Sequence, residues 1–213
     1  MGMLPPFLQA KKSHKVCLVL EGFEEYVYFE KILKFPCFDS VYEIKLINAK
    51  SASNVPAIYQ EEFAKNMHEI VLVVCDKDRR PTQFELIVKG LDNILGPGRA
   101  MEVITFTSPC TLQVILSHFG DVSLNTQAKK AARDVVKQLT GVDKYDAHQE
   151  QLNTICSQIH FRTYADMKKR VSQISTCPDD MPSSNILQLL DRLESEDACW
   201  ISEINAKLSA DDE

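Results

Sequence analysis

The residues of this chain best placed to do chemistry follow two apolar runs that each end in an acid. "VCLVL" (16–20) is followed at once by Glu21 and Gly22, and "IVLVVC" (70–75) by Asp76, Lys77, Asp78, Arg79 and Arg80. Carboxylates brought together repel one another, and a hard cation among them removes that cost; Mg²⁺ takes oxygen ligands and keeps waters that substrate phosphates can replace. Phosphoryl transfer or hydrolysis is the chemistry such a group would serve. Singly, each acid has a plainer reading as a helix cap or a solvated loop residue. What favours a shared site is that the two run ends agree, one strand and helix apart.

The positioning elements follow from the apolar pattern. Val16–Leu20, Glu43–Ile47, Ile70–Cys75 and Met101–Phe106 read as strands, the first and third apolar throughout, as in a parallel sheet covered on both faces. Helical patterns over Glu24–Lys34, Pro56–Asn66 and Thr82–Leu95 alternate with them, which is the α/β arrangement. The carboxyl ends of parallel strands share one edge, so Glu21 comes near Asp76 and Asp78 if the first and third strands are neighbours. After Phe106 helices dominate: Thr111–Phe119, Thr126–Leu139, Ala147–His160, Thr163–Ile174 and a long one over Ser184–Leu208. The expected organisation is an N-terminal arm (1–15), an α/β domain (16–107) and a helical C-terminal extension (108–213), with "ISTCPDDMPSSN" (174–185) as a linker.

Composition bounds the reading. A net charge of −6 argues against a general electrostatic binder of nucleic acid, though not against a local basic groove. Seven scattered cysteines with no CxxC pair read as reduced thiols in a cytoplasmic protein and against a zinc site. "MGMLPPFLQAKKSHK" has neither the order of a signal peptide nor the Ser or Thr at position 6 that myristoylation requires, and no run is long enough to span a membrane.

The strand, acid, Gly, helix and later D-x-D of "LVLEGFEEYVYF" and "VVCDKD" resemble the Toprim domain of topoisomerases, bacterial primases and OLD-family nucleases. "FTSPCTLQVILSHFGD" (106–121) is similar to the "NPCFExWLLLHF" element of RloB-like Toprim proteins, and "MPSSNILQLLDRLE" to their C-terminal helix, so the likeness covers about residues 16–195. It implies a compact parallel four-stranded sheet flanked by helices, and a Mg²⁺- or Mn²⁺-dependent nuclease acting on RNA, tRNA included, or on DNA. By the same likeness Glu21 is the general acid/base, Asp76 and Asp78 hold the metal, and Glu25 supports them. Such relatives serve bacterial defence against phage beside an AAA- or ABC-type ATPase. The chain departs from the pattern at Leu112, where a carboxylate is expected; this favours the alternative of a catalytically degenerate regulatory subunit.

The remaining candidates have competing readings. Lys77, Arg79 and Arg80 could grip a phosphate or simply neutralise the acids. Lys129, Lys130, Arg133 and Lys137 share one helix face, and Lys168–Arg170 form a second basic run; a solvated surface is the default for both. His118 could serve the site or fill a structural place. Glu24 is expected on the surface, and Gly22 to allow a sharp turn. The striped C-terminal helix could pair with a partner or a second copy.

Overall fold

The computed structural model describes residues 13–77 and 82–210. Four parallel strands, β1 (His14–Leu20), β2 (Tyr42–Asn48), β3 (Ile70–Asp76) and β4 (Ile104–Ser108), and one short antiparallel strand, β5 (Ser183–Ser184), form a sheet in the order β2-β1-β3-β4-β5. β1 and β3 are buried along nearly their whole length, which is why they read as unbroken apolar runs.

The strand order reverses direction after β2. Right-handed crossovers therefore send α1 (Phe23–Ile32) to one face and both α2 (Val55–Ala64) and α3 (Thr82–Leu95) to the other. Packing agrees: α2 lies against α3, while α1 lies against α7 (Gln149–Ser157). α5 (Leu112–Leu116), α6 (Lys129–Thr140) and α8 (Phe161–Val171) pack together, and α9 (Ile186–Glu194) and α10 (Cys199–Ser209) complete the C-terminal half. Tyr28, Phe29, Leu18, Leu20 and Phe106 are among the side chains enclosed between these layers. No helix among the described residues is long and apolar enough to cross a membrane.

Three expectations are corrected. The fourth strand begins at Ile104 rather than Met101, because the Asp92 carboxylate accepts the Ala100 N–H (2.8 Å) and the chain makes a short helix, α4 (Ala100–Val103), before entering the sheet. The long C-terminal helix is two: Ser195 Oγ accepts the Asp197 N–H (3.0 Å) and Asp197 Oδ1 the Cys199 N–H (2.9 Å), local bonds that compete with helix and turn the chain. The sheet has five strands rather than four, because the expected linker folds back on itself. Ser184 N–H donates to Ser175 O (2.8 Å), and Ser183 and Ser184 pair with β4. Next to them the Asn185 side chain accepts the Phe106 N–H (2.7 Å) and donates to Ile104 O (3.1 Å), extending the pairing beyond β5.

Candidate metal centre

The crevice where an open α/β sheet binds its ligand lies at the carboxyl ends of the strands flanking the reversal, here β1 and β3. Glu21 follows β1 directly and Asp76 ends β3. Glu21 Oε2 accepts the Asp76 N–H at 3.0 Å, so the two acids expected to converge do meet. Asp76 Oδ1 in turn accepts the backbone N–H (2.8 Å) and the hydroxyl (3.0 Å) of Thr111.

Two more carboxylates come from the first turn of α1. Glu25 is buried; its Oε2 accepts the Gly22 N–H at 2.9 Å and its Oε1 is enclosed without a partner. Glu24, contrary to the surface position expected for it, is buried: its Oε1 accepts hydrogen bonds from Tyr145 Oη (2.9 Å) and the Lys129 ammonium, and its Oε2 is enclosed without a partner. The turn of α1 that a solvated reading gives to Glu24 is covered by α6 and the Tyr145 loop, which sequence spacing does not reveal. Gly22 is also explained differently. Its backbone is extended (φ −144°), open to any residue, but a Cβ there would lie 3.2 Å from Glu25 Oε2.

One oxygen each of Glu24 and Asp76 and the Cys110 sulfur lie within 4.8 Å of one another. Burial, followed by repulsion from Glu25, pushes the Glu21 carboxyl up to about 7. Burial together with the neighbouring acids raises Glu25 and Asp76 as well. The Lys129 ammonium pairs with Glu24 and feels Asp76, and these acids keep it charged against its own burial. The group is short of positive charge, and its unpartnered carboxylate oxygens are the hard donors that Mg²⁺ or Mn²⁺ takes. The Cys110 thiol, raised by burial, is not a ligand such a cation prefers.

The other candidates lie elsewhere. Asp78, Arg79 and Arg80 fall outside the described residues. The Lys77 ammonium donates to Pro178 O and to Asp179 Oδ1 (3.1 Å) and sits 5.8 Å from the Phe84 ring, against α3. His118 is buried between the Tyr28 hydroxyl (3.1 Å) and the Thr163 hydroxyl (3.2 Å), and burial lowers it to about 3, so it is a neutral structural ring. Leu112 is enclosed in the core. Of the basic face of α6, Lys129 turns inward to Glu24, while Arg133 pairs with Asp146 and Lys137 with Asp143 (3.2 Å). Lys168 pairs with Asp191 (2.7 Å) and Glu194 (2.9 Å), and Arg170 with Asp121 (3.1 Å).

Sequence reasoning misses Glu24, Thr111, Lys129 and Tyr145 as members of the site. Thr111 adjoins the quoted "SPC" element and is within reach of that motif; Lys129 and Tyr145 carry no sequence signal. Lys129→Met is expected to destabilise the metal-free protein by about 1–3 kcal/mol, the usual cost of orphaning a buried charge reduced for the partial exposure of the lysine. Urea unfolding with and without Mg²⁺ checks this, and a larger Mg²⁺-induced gain in the variant than in wild type is the expected pattern.

No protein-family model, curated protein or solved structure matches the chain.

Proposed function

We propose that the protein is a Mg²⁺-dependent phosphodiesterase acting on nucleic acid, with the acid cluster at the ends of β1 and β3 as its active centre. The observation that carries this reading is the meeting of Glu21, Glu24, Glu25 and Asp76 with enclosed, unpartnered oxygens on Glu24 and Glu25. Asp76 and Glu24 would hold the cation, with Glu25 beside them. When bound, it would supply charge stabilisation on the phosphate. Glu21, poised near neutrality, has the affinity needed to take and return a proton at its carboxylate. Thr111 holds Asp76 in place through two hydrogen bonds. The resemblance to RloB-like Toprim nucleases points the same way, and to RNA, including tRNA, or DNA as substrate in a cytoplasmic defence role.

The basic side chains on α6 and α8 are largely engaged by acids. Substrate capture is therefore assigned to an ATPase partner or to a second copy of the chain. A second reading, a regulatory subunit that has lost catalysis, is favoured by Lys129, whose ammonium already neutralises part of the cluster, and by the enclosed Leu112. Calorimetry of Mg²⁺ binding to wild type and Asp76→Ala separates the two, since a regulatory subunit shows no difference in heat. The activity itself is tested by incubating mixed tRNA, plasmid and single-stranded DNA with Mg²⁺ or Mn²⁺. Cleavage by wild type and none by Glu21→Ala is expected; equal cleavage by both removes Glu21 from the mechanism.

A further inference from the structure

Away from the acid cluster, on the sheet face covered by α2, three metal-binding side chains from distant parts of the chain meet. Cys17 projects from β1, Glu62 from α2, and His68 from the turn before β3. The Cys17 sulfur, a Glu62 carboxylate oxygen and an imidazole nitrogen of His68 all lie within 4.8 Å of one another. Sequence spacing hides this group, since the three residues belong to no short motif.

Both Glu62 carboxylate oxygens have partners, and one nitrogen of His68 has none. His68 Nε2 faces Glu62 Oε2 at 3.2 Å, while His68 Nδ1 is enclosed without a hydrogen-bond partner, on a side chain only 9% exposed. Glu62 is held ionised by Lys65 (2.7 Å) and Lys45 (2.9 Å), the lysines pulling its carboxyl down to about 2. Both lysines extend into solvent, with side chains 39% and 48% exposed, so they can release Glu62 at little steric cost. Of the three, His68 lines a cavity of about 400 Å³ with Tyr59, Phe63, Asn66 and Asn205.

We propose that Cys17, Glu62 and His68 form a binding site for a borderline divalent cation of the Zn²⁺ class, with a fourth position open toward this cavity. Sulfur, imidazole nitrogen and carboxylate oxygen are the donors such ions take, and three protein ligands with one open position is a known arrangement for them. Mg²⁺ does not favour a thiolate, so this site and the acid cluster differ in the metal they select. Without metal, burial pushes the Cys17 thiol up to about 12. Binding replaces its proton with the metal–sulfur bond and releases that proton to solvent, so affinity falls as pH falls.

Titration of the metal-stripped full-length protein with Co²⁺, followed by absorption, tests the site. Wild type is expected to develop a sulfur-to-cobalt charge-transfer band at one equivalent that Zn²⁺ displaces. The band persists in Cys110→Ser and Asp76→Asn, is lost in Cys17→Ala, and needs at least about 10-fold more metal in His68→Gln. Circular dichroism confirms folding of each variant, and His68→Gln decides the matter if Cys17→Ala does not fold. Absence of the band in wild type, its survival without Cys17, or its loss with Cys110→Ser overturns the proposal.

Discussion

Asp76→Asn is expected to slow Mg²⁺-dependent cleavage severely and to make the metal-free protein harder to unfold. Asp76 feels three other acids through space and ends β3 in the crevice, so a neutral amide there takes away charge from the group proposed to hold the cation. A loss of about 10²–10³-fold in turnover follows from removing one preorganised electrostatic contact of this kind. The same change relieves repulsion in a cluster where burial and Glu25 already hold the Asp76 carboxyl well above the usual range. Asparagine keeps an oxygen for the Thr111 N–H and hydroxyl, so the local hydrogen bonds survive. A gain on the order of 1–3 kcal/mol in metal-free unfolding is therefore expected. Steady-state cleavage and urea titration read the two effects separately. Unchanged cleavage by Asp76→Asn would place the chemistry elsewhere, and a large loss of stability would mean that its charge is already compensated.

Glu21 titrates near 7 in the folded chain and near 4.5 when unfolded, so the native state binds the extra proton. Its contribution to stability is intact below about 4.5 and is lost as pH rises through about 7. Glu21→Gln removes this dependence while retaining an oxygen for the Asp76 N–H. The variant is expected to be more stable than wild type at pH 8 by roughly 3 kcal/mol, because each pH unit between the unfolded and folded titration points, about 4.5 and about 7, is worth about 1.4 kcal/mol, and equal to it below about pH 4. The comparison cancels His118, which burial lowers to about 3 and which therefore weakens both proteins as pH falls from about 6.5. Glu62, held near 2 by Lys65 and Lys45, is likewise common to both and acts only below about 4.5. Saturating Mg²⁺ should reverse the order at pH 8, since a deprotonated Glu21 then faces a cation. A gap that does not change with pH would show that Glu21 has ordinary carboxylate behaviour.

The parts of the site that can be read in advance are those set by strand register. Glu21 and Asp76 follow apolar runs, and parallel pairing of Val16–Leu20 with Ile70–Val74 brings their ends to one edge whatever the loops do. Glu25 is within reach for the same reason, one helical turn after Glu21. Glu24 and Lys129 are not, because their burial depends on how α6 lies over α1, a matter of long-range packing with no short-range pattern. The apolar pattern places β1–β3 to within two residues, whereas the start of β4 and the break between α9 and α10 depend on single side chains, Asp92 and Asp197, bonding locally.

The pairing of Ser183, Ser184 and Asn185 with β4 has a wider meaning than an extra strand. It closes an edge that otherwise presents open peptide groups to any neighbouring chain, the usual starting point for self-association of sheets. The helical half thus covers the sheet's edge as well as its faces, and trimming the chain at residue 107 would leave that edge of β4 open.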